Sequence, residues 1–277
     1  MNRIAQRFAE LKAAGRSALI PYITAGDPVP NATVDLLHLL VSKGADLLEI
    51  GVPFSDPMAD GPVIQRATER ALAHNVSMHD VLAMVRSFRE MDYSTPIILM
   101  GYLNPVEVLG YAAFAREAAA AGVDGVLTVD LPPEEAADYA AVMREAGLEC
   151  VFLVSPTTPH HRLEAVARLG SGFVYYVSLK GVTGANSLDV ADVERHIAEL
   201  RTSIQLPLGV GFGIRDAHTA AQVARVADAV VVGSVIVHLI EQHQHDLASM
   251  RQSVGDLVGE MRAAMDAARD AARAAEV

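Results

Sequence analysis

The stretch SALIPYITAGDPVPNATVDLLHLLVSKGADLLEIG (residues 17–51) contains the pattern that decides the fold. Two short apolar runs rich in β-forming residues, at 17–24 and 47–51, enclose a segment whose apolar residues recur with a helical period. Neither run alternates with polar residues, which is typical of parallel strands covered on both faces. The stretch therefore predicts a strand, a helix and a second, parallel strand.

The same alternation of strand and helix continues along the chain. Eight apolar runs occur in all, the later six being PIILMGY (96–102), GVLTVDL (125–131), ECVFLVS (149–155), FVYYVS (173–178), PLGVGF (207–212) and AVVVGS (229–234). The length of 277 residues is close to the roughly 250 residues of one (β/α)₈ barrel. We expect an α/β protein with a single TIM-barrel domain over 1–277 and an additional N-terminal helix. An open doubly wound sheet is the alternative.

The ends of the helical segments also carry signals. A glycine that can adopt a left-handed cap follows four of these segments, at Gly44, Gly122, Gly147 and Gly170. One continuous helical segment is expected over PVEVLGYAAFAREAAAAG (105–122). The Ala-rich tail over about 261–277 is typical of a terminal helix that is either frayed or packed, and we assign it no function.

Composition excludes several classes of function. The chain has 22 Lys and Arg against 34 Asp and Glu, a net charge of −12, which disfavours binding to nucleic acid or to anionic membrane surfaces. Its single cysteine, Cys150, cannot form an internal disulfide, and no apolar run approaches the ~20 residues that span a bilayer. We expect a soluble, untargeted cytoplasmic protein.

Carboxylates near strand ends are the first candidates for chemistry, because catalytic groups of such barrels lie at the C-terminal ends of the strands. Glu49 interrupts an apolar strand, where a carboxylate is unfavourable unless it is paired, hydrogen-bonded or protonated. This predicts a general acid or base, with a Glu satisfied by its neighbours as the structural alternative. Asp56 and Asp60 follow in the loop GVPFSDPMADG (51–61), where Asp60 also fits a helix N-cap.

Other acidic residues fall into two groups. Asp130 also follows a strand and belongs with the candidates above. Four acidic residues precede strands and are expected at the opposite, structural end of the barrel: Asp46, Asp124, Glu149 and Asp228.

Two glycine-bearing turns after the seventh and eighth strands indicate phosphate binding. They are GVGFGIRD (209–216) and VVGSVI (231–236), and backbone N–H groups at such turns and at the start of the next helix bind phosphate in many barrels. The loop SLKGVTGANS (178–187) has the small residues expected of a lid.

Residue types that are missing narrow the reaction further. Only Lys180 among three lysines lies near a strand end, the ten histidines form no ligand cluster, and no full dinucleotide fingerprint occurs. We therefore expect acid–base catalysis by carboxylates on a phosphorylated ligand, with no cofactor and no metal.

Six motifs together resemble the tryptophan synthase alpha chain family: YITAGDP (22–28), LEIGVPFSDPMADGPVIQ (48–65), MGYLNP (100–105), VDLPPEE (129–135), SLKGVTGA (178–185) and GVGFGI (209–214). The resemblance implies a lyase that cleaves indole-3-glycerol phosphate by a retro-aldol reaction into indole and glyceraldehyde 3-phosphate, without a cofactor of its own. It also implies a pyridoxal-phosphate-dependent beta chain that receives the indole through a tunnel, in an alpha2beta2 assembly.

The resemblance further implies roles for individual residues. Glu49 would be the general acid and base, and Asp60 would interact with the indole N–H. The remaining matched positions are the pocket residues Tyr22, Ile64, Met100, Tyr175 and Phe212, the phosphate-site residues Gly184, Gly213, Gly233 and Ser234, and Thr183 of the lid, which orders Asp60. Members of the family often have Phe where Tyr22 stands and Leu where Met100 stands.

Two alternatives to this function remain from the sequence. One is another phosphate-binding barrel, such as a phosphosugar isomerase or epimerase, which the missing strand-end histidines and the Asp60 loop disfavour. The other is a catalytically silent barrel that only docks onto a beta-chain-like partner, which the intact pair Glu49 and Asp60 disfavours.

Overall fold

The computed structural model describes residues 2–178, 190–211 and 213–275. Eight parallel strands follow one another around a closed barrel, and the last strand pairs with the first. The strands are β1 Ala18–Thr24, β2 Leu48–Gly51, β3 Ile97–Gly101, β4 Gly125–Thr128, β5 Glu149–Val154, β6 Val174–Val177, β7 Leu208–Gly211 and β8 Ala229–Val232. The TIM barrel predicted from the sequence is confirmed, and the open sheet is excluded.

Helices surround the barrel and connect its strands. They are α1 Arg3–Ala14, α2 Ala32–Ser42, α3 Pro62–Ala73, α4 Met78–Arg89, α5 Leu103–Leu109, α6 Tyr111–Ala121, α7 Ala137–Glu145, α8 His160–Leu169, α9 Val190–Leu200, α10 Ala217–Ala224, α11 Ser234–Gln242 and α12 Leu247–Ala275. None of the helices within the described ranges has the length and apolar character needed to cross a membrane.

Two local predictions are wrong. The helix expected over 105–122 is two helices, because Gly110 between them has φ +81° and ψ +138°, outside the helical region. Gly170 does not have a left-handed backbone, since its φ is −68°. Its small size serves close packing instead, because a Cβ atom there would lie 2.6 Å from the carbonyl oxygen of Val166. Gly44, Gly122 and Gly147 do have the predicted positive φ.

The additional N-terminal helix closes one end of the barrel. Ile4, Phe8 and Leu11 of α1 pack against the side chains that point into the barrel, among them Leu47 and Ile98. The apolar residues on the outward face of the strands belong to a separate core, shared with the surrounding helices. Because α1 covers the N-terminal ends of the strands, the C-terminal ends form the open mouth.

The carboxylates that precede strands stabilise the closed end. Asp46 accepts hydrogen bonds from the backbone N–H of Leu19 at 2.9 Å and from Arg262 at 3.0 Å. Asp124 likewise accepts from the backbone N–H of Ile97 and from Arg89, both at 2.8 Å. These contacts agree with the structural role that the sequence predicted for Asp46 and Asp124.

The C-terminal tail is part of the long helix α12. Met261 and Met265, which lie in the segment that was expected to be either frayed or packed, are fully buried. Arg262 of the same segment reaches Asp46 under the barrel. Of the two alternatives, this segment is packed at these positions.

Candidate active site

Glu49 lies inside the barrel, surrounded by apolar and aromatic side chains. Its strand neighbours Leu48 and Ile50 face the helices, so the alternation of the strand turns Glu49 inward. In register it stands beside Tyr22 of β1 and Ile98 of β3. Its side chain is 1% exposed, and its Oε1 atom has no hydrogen-bond partner within the described part of the chain.

This environment favours the protonated form of Glu49. Burial, with a smaller contribution from the negative charge of Asp60, raises the pKa of the Glu49 carboxyl to about 8. The carboxyl therefore retains its proton at neutral pH, as a general acid must. The structural alternative, a Glu satisfied by neighbouring groups, does not fit the unpartnered Oε1 atom.

Two tyrosines inside the barrel depend on glycines of the neighbouring strands. A Cβ atom on Gly51 would lie 2.0 Å from the hydroxyl oxygen of Tyr22, and one on Gly211 would lie 2.0 Å from that of Tyr175. Only glycine leaves room for these phenol groups. Burial, and less strongly the charge of Glu49, raises the pKa of both phenols, so both stay neutral.

Asp60 is held at the mouth by Tyr102. The Tyr102 hydroxyl donates a hydrogen bond to Oδ2 of Asp60 at 3.1 Å and accepts one from the backbone N–H of Ala59 at 3.0 Å. Burial raises the pKa of Asp60, while the hydrogen bond from Tyr102 opposes that rise. The N-cap alternative for Asp60 is wrong, because α3 is capped by Gly61 without a side-chain bond.

A small recess lies at the mouth, where Tyr22, Asp60 and Tyr102 line it. Apolar and aromatic residues are the majority of its lining, and Asp60 is its charged residue; the full set is Tyr22, Val52, Phe54, Pro57, Asp60, Thr68, Met100, Gly101, Tyr102 and Val129. Ile64 packs against Tyr22 and Met100 behind the wall. A flat, apolar ring with one polar edge matches such a lining.

Sequence reasoning found part of this site. It named Tyr22, Asp60 and Met100 of the recess but missed Tyr102, the residue that contacts Asp60 directly. The signal for Tyr102 was present, since the residue stands in the quoted motif 100–105, directly after β3. Phe54 of the recess was also missed. Its ring centroid lies 5.3 Å from that of Tyr102.

The turns after β7 and β8 meet at the same mouth, because these two strands are neighbours. Gly213 follows β7 with a φ of +76°, in the left-handed region that favours glycine. Gly233 follows β8 and precedes Ser234, the first residue of α11. A helix N-terminus beside a glycine turn presents backbone N–H groups to an anion. A Cβ atom on Gly233 would lie 3.6 Å from Tyr22, so this end adjoins the recess.

Thr183, Gly184 and Phe212 lie outside the described residues, as does most of the loop 178–187.

The loop 52–61 also has an outward side. Asp56 is exposed and accepts a hydrogen bond from Ser55 at 2.6 Å, and the side chain of Met58 is 85% exposed. Pro53 of the same loop is buried. Asp130, the remaining strand-end carboxylate, accepts a hydrogen bond from the backbone N–H of Leu103 at 2.7 Å, at the start of α5.

A closed barrel with a buried carboxyl inside it and a second carboxylate beside an aromatic recess at its mouth defines a TIM-barrel enzyme. Comparison with known proteins identifies the family. The sequence profile of the tryptophan synthase alpha chain matches residues 8–266. The chain belongs to the tryptophan synthase alpha chain family, as the resemblance of its motifs predicted.

Individual relatives agree over nearly the whole chain. The tryptophan synthase alpha chain of Laribacter hongkongensis is 66% identical over 241 residues, which cover 87% of this chain and 91% of that one. That of Nitrosococcus oceani is 62% identical over 245 residues, covering 88% and 90%. The crystal structure of the alpha subunit from Legionella pneumophila str. Paris superposes with a TM-score of 0.91 at 48% identity, covering 96% and 99%.

Members of this family are lyases of tryptophan biosynthesis. They cleave indole-3-glycerol phosphate to indole and glyceraldehyde 3-phosphate, and they work with a beta chain that receives the indole. Membership excludes the isomerase and epimerase alternatives.

Proposed function

We propose that this chain performs the carbon–carbon cleavage as a retro-aldol reaction catalysed by Glu49, without a cofactor of its own. The observation that carries the proposal is the Glu49 carboxyl: it is buried, its Oε1 atom lacks a partner among the described residues, and its pKa is raised to about 8. A carboxyl held neutral in this way can donate a proton and then accept one.

The substrate would span the mouth of the barrel. The indole ring lies in the recess against Tyr22 and Met100, with its N–H toward Asp60. Backbone N–H groups at the turns after β7 and β8 hold the phosphate, a role in which Gly213, Gly233, Ser234 and Gly184 take part. Tyr175, Ile64 and Phe212 complete the pocket, and Thr183 of the lid orders Asp60.

The proton then follows a closed cycle. Protonated Glu49 gives its proton to the indole ring carbon that carries the glycerol phosphate chain, and the ring nitrogen becomes positively charged. The Asp60 carboxylate stabilises that charge. Ionised Glu49 next takes the proton from the hydroxyl on the adjacent chain carbon, and the carbon–carbon bond breaks. Its electrons return to the ring, which leaves indole, glyceraldehyde 3-phosphate and protonated Glu49.

We infer an alpha2beta2 assembly in which a beta chain docks at the barrel mouth and receives the indole through a tunnel. The support is the loop 52–61, where Asp60 lines the recess while Asp56 and Met58 are exposed. One segment thus contacts the substrate pocket and offers a surface to a partner.

Indole release by purified Glu49→Gln protein tests the proposal. General acid–base catalysis contributes typically about 10²–10⁴-fold, so the single-turnover rate should fall by at least that factor while a non-cleavable analogue still binds. Glu149→Gln is the matched control, because this glutamate begins β5 at the opposite end of the barrel. Wild-type turnover in Glu49→Gln would overturn the role of Glu49. A wild-type chain that releases no indole, even with its beta chain, would instead be the silent docking barrel.

A further inference from the structure

A cluster of four charged side chains lies outside the recess. Arg70 donates two hydrogen bonds to Asp27, at 2.7 and 3.0 Å, and a third to Glu241 at 3.0 Å. Arg66 donates two more to Glu241, at 2.5 and 2.8 Å. The Asp27 side chain is fully buried, and Glu241 is 20% exposed. Both arginines thus form paired, directional contacts with carboxylates.

The cluster joins three elements that build the mouth of the barrel. Asp27 lies in the turn after β1, both arginines belong to α3, and Glu241 belongs to α11. Helix α3 begins at Pro62, two residues after Asp60. Helix α11 begins at Ser234, in the proposed phosphate site. The cluster therefore connects the helix that follows the indole end of the site to the helix that starts the phosphate end.

Apolar contact between these two helices runs through a small buried cluster. Ala67 of α3 and Val237 of α11 belong to one small buried cluster with Tyr22 and Ile64. Hydrophobic contact has no preferred direction. Arg66 and Arg70 stand four residues apart on one face of α3, so both reach Glu241 across the gap. The ion pairs thus supply the directional part of this interface.

We propose that Arg70 and Glu241 are positioning residues that set the spacing between the indole end and the phosphate end of the site. The inference rests on the proposed binding of one substrate across both ends. A buried ion pair contributes little net stability, but it fixes geometry. A change in that spacing leaves each half of the site intact and harms only a ligand that must occupy both halves at once.

Binding of whole and divided ligands to Glu241→Gln separates this role from simple structural support. The ligands are indole, glycerol 3-phosphate, and a non-cleavable compound in which a propyl chain joins indole to phosphate. We expect the affinity for the joined compound to fall on the order of tenfold, within the usual range of coupling between sites, with less than about a twofold change for either half. KM for indole-3-glycerol phosphate should rise with it.

Further variants keep the test decisive. Arg70→Lys retains the charge but loses the forked contact with Asp27, and it should reproduce the selective loss. Arg66→Gln removes an exposed partner of Glu241 and should give a smaller, equally selective loss of affinity for the joined compound. If Glu241→Gln folds poorly, Arg66→Gln provides the test. Glu199→Gln, in an exposed ion pair with Arg195 of α9, is the control.

The outcomes are distinct. Selective loss of the joined compound in Glu241→Gln supports the inference. An equal loss for all three ligands, or no loss for any, overturns it. A wild-type protein that binds the joined compound no more tightly than its halves, and releases no indole from the substrate, refutes the proposed function itself.

Discussion

Replacing Glu49 by Gln should make the protein progressively more stable relative to wild type as pH rises, while removing its activity. In the unfolded chain the Glu49 carboxyl has a pKa of 4.5, whereas in the folded protein burial raises that pKa to about 8. Between these values the unfolded chain releases a proton that the folded chain retains. The stability of the wild type is therefore lost progressively as pH rises from about 4.5 to about 8, and Gln, which does not titrate, lacks this loss.

The magnitude follows from the two pKa values. Ionisation of Glu49 favours unfolding of the wild type by roughly 4 kcal/mol at pH 8 and by less than about 1 kcal/mol at pH 5. Terms that do not depend on pH, such as the burial of the Gln amide, cancel when the two conditions are compared. Glu49→Gln should therefore gain about 3 kcal/mol relative to wild type between pH 5 and pH 8.

Denaturant unfolding of both proteins at the two pH values measures this difference. Glu10→Gln is the control, because it replaces an exposed carboxyl on α1 by the same amide. A difference between Glu49→Gln and wild type that is the same at both pH values would refute the reasoning, because Glu49 would then not titrate between them. Indole release by the wild type should in parallel fall as pH rises through about 8, since the acid form of Glu49 disappears.

Three further predictions concern the other parts of the site. Asp60→Asn removes the charge that stabilises the protonated indole, so the single-turnover rate should fall by roughly 10²-fold while binding of a non-cleavable analogue changes less. An unchanged rate would leave Asp60 no role in the chemistry. Gly213→Val should abolish binding of the phosphate end, because a β-branched residue is strained at a φ of +76° and fills the space of the anion. If Arg215→Ala abolished binding and Gly213→Val did not, charge pairing would be the correct explanation. Asp56→Ala should weaken the activation of indole release by added beta chain and spare the slow activity of the isolated chain. If beta chain activates wild type and Asp56→Ala along the same titration curve, the coupling runs through other residues.

The positions of the strands follow from local signals in the sequence. Apolar runs without alternation appear at all eight strand positions, and each strand lies inside its predicted run. Helix ends were harder to predict. Gly110 divides a segment of continuous helical period, and its φ of +81° leaves no trace in the spacing of apolar residues.

The catalytic candidates could also be found in the sequence. Glu49 is conspicuous because a carboxyl among apolar strand residues violates the usual partition between core and surface. Tyr102 is not conspicuous, since a tyrosine after a strand is an ordinary residue. Its role depends on the fold of the loop 52–61, which brings Asp60 to its hydroxyl across 42 positions of sequence.

The sequence alone indicated the eight parallel strands, the carboxyl within an apolar strand and the glycine turns, because each depends on the type and spacing of neighbouring residues, whereas the closure of the sheet came from the structure. Only the tertiary structure decided which of these groups meet and in what environment. The pKa of Glu49 is set by side chains from other strands, and the cluster of Asp27, Arg70 and Glu241 joins three separate elements. Such contacts arise when the chain closes on itself, so no local pattern records them.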